Sequence, residues 1–359
     1  MARSRPDAIT VAVTGAAGYI ATRLITKLLA DETIGRVVGF DVVAPAVRDE
    51  KFVFDEIDVR NDALAERLTG IDVLVHLAFI MDPIRDEAKM RDVNVNGSQN
   101  VFRCAGKAGV KRLIYTSSAV VYGAHPDNDM PLTEESPLRA NLDFNYAAHK
   151  LEVEYIVKEV AEQFPDLGFT IFRPAIVFGP HVDNAWSHLM EMPILPKVQG
   201  HDPVFQFVHE EDVADALHFG VVNGLSGPFN IGAEGSLTFD QVLEALGRRS
   251  VDLPEPIAFS LSDRMWKMGL AEAPAGMLHY VMYPWVVSSA KLEEAGFRLR
   301  HGNEEIFRAA ASRAREHVRL GRRAVKRADL VKGAAAGAGL LGGLVTLRAL
   351  RRRSVAQGR

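Results

Sequence analysis

At 359 residues the chain is long enough for two domains, or for one large α/β domain with an appendage. Hydrophobic residues at 48% and charged residues at 25% are the proportions of an ordinary globular protein and exclude a disordered or fibrous one. The only cysteine, Cys104, rules out an intrachain disulfide and reads as a small core residue of an apolar helical pattern. Met1–Asp7 is short and polar without an apolar core, so no signal peptide is expected and the expected location is cytoplasmic.

The apolar run Ile9–Val13 reads as a buried strand, and Arg23–Leu29 carries apolar positions at helical spacing. Between them lies Thr14-Gly15-Ala16-Ala17-Gly18-Tyr19-Ile20-Ala21. A strand, a tight glycine turn and a helix form an anion site, because the helix N-terminus offers unpaired N–H groups and a partial positive charge to a pyrophosphate. Gly15 and Gly18 allow the bend and the close approach, and Ala21 is the small residue needed where helix meets sheet. The next strand-like run, Val37–Phe40, ends in Asp41, about 20 residues after the loop, where a carboxylate accepts hydrogen bonds from adenosine ribose hydroxyls. No Arg follows it, so a 2′-phosphate would be repelled and NAD is expected rather than NADP.

Phe52–Phe54 and Ile57–Val59 read as a third strand and its exit, and Ala63–Leu68 as a short helix. Asp72–Ala78 is nearly all apolar, as a parallel strand covered on both faces must be. A helix is expected through Asn94–Gly97 to Ala108, a strand at Arg112–Thr116, a long helix at Tyr146–Phe164 and a strand at Phe169–Pro174. This alternation predicts an α/β fold, a Rossmann-type doubly wound parallel sheet with ligands at the carboxyl ends of its strands. After Gly179-Pro180 the rhythm breaks, and a helix at Val213–Val222 and a strand at Pro228–Ile231 close the pattern. The expected division is a dinucleotide-binding domain over residues 1–236, with 180–206 contributing to a substrate cleft, then a smaller, mostly helical substrate lobe over 237–300 broken by prolines at Leu253–Pro256, and a basic tail over 301–359.

Tyr146 and Lys150 are four apart on the long helix, so both lie on one face. A phenol with an ordinary pKa of about 10 is a poor base at neutral pH, and a nearby ammonium together with an oxidised nicotinamide would favour the phenolate. Such a tyrosine can take the proton of a substrate hydroxyl while hydride leaves the carbon. Ser118, at the carboxyl end of the fifth strand, is placed to polarise the reacting oxygen.

These pieces, with Asp58-Val59, His76-Leu77-Ala78, Asn94-Val95-Asn96-Gly97 and Arg173-Pro174 through Gly179-Pro180, resemble the extended short-chain dehydrogenase/reductases of the NAD-dependent epimerase/dehydratase group over roughly Ile9 to Phe297. The resemblance implies a Ser118–Tyr146–Lys150 catalytic set and no metal. It implies cofactor contacts from Thr14, Gly15, Gly18, Tyr19, Ile20, Asp41, Asp58, Val59, Leu77, Ala78, Asn94, Tyr146, Lys150 and Pro174, with Asp58 and Val59 near the adenine. It also implies that His209 and Asp212 are structural, Asp212 capping the helix that follows. Dimerisation through two helices is common in that group.

The departures from the group matter. Its dehydratases carry an Asp-Glu pair after the catalytic hydroxyl, where this chain has Ala119-Val120. Its nucleotide-sugar epimerases carry Asn and Arg where this chain has Ile176 and Phe205, and an apolar pair cannot replace charge-assisted hydrogen bonds to a diphosphate. With Phe205, Phe207, Trp186 and Trp266 nearby, the expectation is an apolar cleft and an oxidoreductase acting on a small-molecule secondary alcohol or ketone, hydroxysteroid-like or lipid-like. A nucleotide-sugar epimerase and a non-catalytic NAD-binding regulatory protein are the alternatives, and no nucleic acid is expected as a partner.

The charge is divided. From Arg298 onward there are 16 Lys and Arg against 4 Asp and Glu, while the body before it has 26 against 42. Gly333–Leu347 is uncharged and rich in Gly and Ala, with Lys332 and Arg348 at its ends. It reads either as a weakly structured tail or as a short membrane tether with small residues at four-residue spacing and basic flanks.

Overall fold

The computed structural model describes residues 8–320 and 323–326. Seven strands form one parallel sheet: β1 (Ile9–Thr14), β2 (Ile34–Asp41), β3 (Phe52–Glu56), β4 (Val73–His76), β5 (Arg112–Thr116), β6 (Gly168–Pro174) and a last strand, Gly227–Ile231. The spatial order runs from Gly227–Ile231 through β6, β5, β4, β1 and β2 to β3. The chain therefore builds outward from β1 in one direction and then, from β4, in the other. The crevice where the order reverses, between β1 and β4, is where such sheets bind ligands.

The strand sequences dictate this burial. In β1, Val11 and Val13 enter one core and Ala12 the other, and in β4 Val73 and Val75 are split from Leu74 in the same way, as a side-chain period of two requires. One face is covered by α1 (Tyr19–Ala30), through Leu24, Ile25 and Leu28, and by the helix Glu210–Asn223. The other is covered by the helix Gly97–Ala108 and by the long helix Asn145–Gln163, through Phe102, Ala105, Val153 and Val157. Cys104 is buried in this second layer, as read from the sequence.

Three local expectations are corrected. The helix expected through Asn94 to Ala108 begins earlier and is divided, Glu87–Arg91 leading through a π turn at Asp92–Asn96 into Gly97–Ala108. The prolines at 254 and 256 start a helix instead of breaking one: Pro254 caps Glu255–Met268 and Pro256 sits in its first turn, where a missing N–H costs nothing. Asp212 does not cap the helix Glu210–Asn223. That cap is His209, whose ring accepts from the Glu211 N–H at 3.2 Å. Asp212, fully buried in the first turn, instead accepts from the backbone N–H groups of Arg300 and His301 and pins the distal chain.

The region beyond the sheet is mostly helical, with Phe239–Leu246, Glu255–Met268, Ala275–Val281 and Ala290–Glu294, and carries short strand pairs, among them Ile194–Val198 alongside Arg249–Leu253. The segment read as a tail from residue 301 starts as core: the helix Asn303–Glu316 buries Ile306, Phe307 and Ala311 against the main cluster. Gly333–Leu347 lies outside the described residues. Among the described residues no helix is long and apolar enough to cross a membrane.

Candidate active site

The glycine turn at the end of β1 is shaped by its neighbour β4. Gly15 has φ +69°, and a Cβ there would sit 2.7 Å from the backbone nitrogen of Ala78, so only glycine fits. Gly18 caps α1 without a side chain, and no acidic residue occupies the first turn. The leading N–H groups of the helix are left for a ligand. Asp41, at the end of β2, holds the turn: its carboxylate accepts from the N–H of Ala17 at 2.9 Å and from those of Val42 and Val43. Thr14 is buried, 2.7 Å from the Nδ1 of His76, whose Nε2 is 2.9 Å from the Ser98 hydroxyl. Burial, with a lesser push from the Lys150 charge, lowers His76 to about 3 and keeps it neutral.

Above this turn opens a cleft of about 340 Å³. Of the cofactor and catalytic residues expected from the sequence, Gly15, Gly18, Tyr19, Ile20, Leu77, Ser118, Tyr146, Lys150 and Pro174 form its walls. The others stand behind or beside it. Asn94 is buried and holds the loop after β4, accepting from the Ile80 N–H at 2.7 Å and donating to its carbonyl at 3.0 Å. Ala78 abuts Gly15, and Val59 packs where a Cβ on Gly97 would strike it. Asp58 is engaged by Arg60, which donates to both its oxygens and holds the carboxyl below its usual range.

Tyr146 and Lys150 lie in the first two turns of Asn145–Gln163, facing the end of β5. Lys150 is 4% exposed, donates to the Thr116 carbonyl at 2.7 Å and sits 3.6 Å over the Phe79 ring. Ser118 is the cap of a short 3₁₀ turn, its hydroxyl accepting from the Val120 N–H, and it lines the cleft with Tyr146. Desolvation pushes Tyr146 up to about 12, against the lowering by Ser118, and the Asp82 carboxylate adds to the rise. Burial pushes Lys150 down to about 7, with Glu154 opposing. In the structure without cofactor, desolvation is the largest influence on both groups, raising the phenol and lowering the ammonium toward their neutral forms.

Glu154 extends the Tyr146, Lys150 series by another four residues and was missed. It accepts from Arg173 Nε and a terminal guanidinium nitrogen at 2.9 and 2.6 Å and from the Ser117 hydroxyl at 2.6 Å, locking the helix to β5 and β6. The spacing itself was the signal that could have found it. Phe79, Met81, Asp82, Met277 and Trp285 also line the cleft, gathered from segments with no local motif. Of the aromatic residues expected there, Trp186 lines it, beside Ile176. Phe205 and Phe207 do not: they point into the core, stacked on each other and against Phe239 and Phe307. Trp266 is half-buried on Glu255–Met268, away from the cleft.

A parallel sheet with a glycine turn at its switch point and a Ser-Tyr-Lys wall facing that turn defines the class of Rossmann-type dinucleotide enzymes. The residues fit such a cofactor: the Gly15 cradle admits no side chain, the α1 terminus is uncapped, and the buried Thr116 hydroxyl on the cleft wall lacks a partner. The chain belongs to the NAD dependent epimerase/dehydratase family, whose profile matches residues 11–232. It is an enzyme of that family, with NAD as its cofactor.

An uncharacterized protein of Mycobacterium tuberculosis is 29% identical over 307 residues, 83% of this chain and 82% of its own length. The N-acetyl-alpha-D-glucosaminyl-diphospho-ditrans,octacis-undecaprenol 4-epimerase of Escherichia coli O157:H7 is 31% identical over 176 residues, 47% of this chain and 49% of its own. The fold is shared with a dTDP-glucose 4,6-dehydratase from Streptomyces venezuelae, with a TM-score of 0.67 at 24% identity over 86% of this chain and 97% of that one. It is shared also with the UDP-glucose 4-epimerase of Thermotoga maritima, with a TM-score of 0.63 at 20% identity over 85% and 98%.

Proposed function

We propose that this chain interconverts a secondary alcohol and its ketone on a fairly apolar substrate, hydroxysteroid-like or lipid-like, with Ser118, Tyr146 and Lys150 as the proton relay. Bound NAD supplies the two-electron chemistry, taking or returning hydride at the carbinol carbon. With the positive nicotinamide of oxidised NAD and the Lys150 ammonium favouring the phenolate, Tyr146 takes the hydroxyl proton as the C=O forms and returns it in the reverse direction. Ser118 orients the reacting oxygen beside the phenol. Lys150, held by Thr116, reaches the ribose hydroxyls. Gly15, Tyr19 and Ile20 offer backbone N–H groups to the pyrophosphate, Gly18, whose own N–H goes to the Gly15 carbonyl, leaves room for it to approach, Asp41 takes the adenosine ribose, Asp58 and Val59 lie toward the adenine, and Thr14, Leu77, Ala78, Asn94 and Pro174 shape the rest of the groove.

The observation that carries this reading is the gathering of Ser118, Tyr146 and Lys150 with the glycine turn around one cleft whose other walls include Phe79, Met81, Ile176, Trp186, Met277 and Trp285. A second reading, epimerisation of a sugar on a lipid-linked or nucleotide diphosphate, is favoured by the name of the Escherichia coli relative. There the same hydride leaves and returns on one substrate. The test is the purified chain with NAD against sterols, other secondary alcohols and nucleotide sugars, followed by NADH absorbance. Net NADH from an apolar alcohol supports the first reading. Interconversion of sugars without net NADH replaces it with the second.

A membrane tether in the basic tail, with the Gly333–Leu347 run between Lys332 and Arg348, would bring the enzyme to a lipid-like substrate; its support is the sequence alone.

A further inference from the structure

Beside the cleft lies a larger cavity of about 480 Å³, walled by the helix Glu255–Met268, the strand pair Ile194–Val198 and Arg249–Leu253, and the turn around Met277. Ala185 and Met277 line both cavities, so the two adjoin. Resting on the alcohol-oxidising reading of the cleft, the geometry points to this cavity as the subsite for a hydrocarbon chain on the substrate, its alcohol placed at Tyr146.

Three features select that occupant. The lining holds no Lys or Arg, and its only ionisable side chains are His188 and Glu272, which pair with each other. A diphosphate would meet the Glu272 carboxylate and no Lys or Arg, with the His188 ring already taken between Glu272 and Asp183, and the charge-assisted bonds that such a group needs are missing. Met192, Met265 and Met277 supply flexible thioether walls, which adapt to a chain more readily than branched side chains do. At the mouth, Ile194, Val251, Leu261 and Leu270 are 52, 47, 45 and 55% exposed. Four large apolar side chains left in water around one opening mark a site where an apolar ligand enters.

The experiment uses the full chain saturated with NAD. Its substrates are 2-alkanols from four to twelve carbons, followed by NADH absorbance, and its binding probe is the neutral fluorescent amphiphile N-dodecyl dansylamide. The wild type is compared with Leu261→Glu at the mouth and Met265→Trp in the wall, each checked for unchanged NAD affinity. The expected result is a kcat/KM that climbs by up to about fourfold per methylene until the cavity fills, the factor set by burying a CH₂. Both variants should flatten that climb and weaken the probe at least tenfold while 2-butanol turnover stays at the wild-type rate. A flat alkanol series in the wild type, or a probe affinity that neither variant changes, overturns the subsite. If the probe binds and is lost in both variants while no alkanol is oxidised, the subsite stands and the alcohol-oxidising reading falls.

Discussion

Lys150→Met should make the cofactor-free protein more stable while removing turnover. The ammonium is buried, and its pKa falls from 10.5 to about 7. At about 1.4 kcal/mol per unit, holding it charged in the fold costs on the order of 4–5 kcal/mol at low pH, and roughly 4 kcal/mol at pH 7 where it is half neutralised. Methionine keeps most of the chain volume and removes this cost. It also removes the bond to the Thr116 carbonyl, worth about 2 kcal/mol, which leaves a net gain of about 2 kcal/mol at neutral pH. The sign of the pH dependence follows from the direction of the shift. Between pH 7 and 10.5 the unfolded chain holds a proton at Lys150 that the folded chain has released, so the wild type gains stability as pH rises through that window. Below pH 7 both states are protonated and the contribution is flat. Urea unfolding of both proteins without NAD, from pH 6 to 9, isolates the effect, because every other titrating group cancels in the difference. The advantage of the variant should shrink by about 2 kcal/mol between pH 7 and 9. Parallel curves across that range would mean that Lys150 stays charged in the fold, and would refute the dry-pocket account of the site.

Other outcomes follow from the cofactor end of the cleft and from the tail. Gly15→Val should abolish NAD binding, since its Cβ meets the Ala78 backbone at 2.7 Å and φ is +69°; the melting temperature should fall and NAD should no longer raise it, and a retained NAD shift would refute the cradle. NAD should bind much more tightly than NADP, and Asp41→Asn should narrow the gap, because the amide keeps the Ala17 hydrogen bond while removing the charge that repels a 2′-phosphate; equal affinities by titration of both cofactors would remove that role from Asp41. The full chain should co-sediment with anionic liposomes at low salt and a chain truncated after Asp329 should not, and equal amounts of both in the supernatant would end the tethering idea.

Local chemistry was legible in the sequence where the physics is local. The glycine turn needs a strand before it and a helix after it, and all three lie within about 20 residues. Tyr146 and Lys150 share a face through helix geometry alone, as does Glu154 one step on. The alternation of apolar strands and helices yields the parallel sheet, and the two-sided burial of β4 could be read from its composition. What escaped depends on which way a side chain turns once distant segments meet. Phe205 and Phe207 were assigned to the cleft, yet their period-two spacing puts both on one face, and that face meets Phe239 and Phe307. Asp212 resembles a helix cap in isolation, but its partners, Arg300 and His301, are almost ninety positions away. Pro254 and Pro256 resemble a break until the strand Arg249–Leu253 is seen to pair with Ile194–Val198, after which they start a helix. The phenol and ammonium pKa values turn on desolvation, which spacing cannot convey.

The central claim is that Tyr146 moves the proton, and Tyr146→Phe tests it most directly. The substitution removes one oxygen and leaves the aromatic packing against Phe79 and Phe144 in place. With the best alcohol from the substrate panel, kcat should fall by about 10²–10⁴ while the Kd for NAD, measured by fluorescence titration, stays within about twofold. A variant that keeps most of its kcat would contradict the relay.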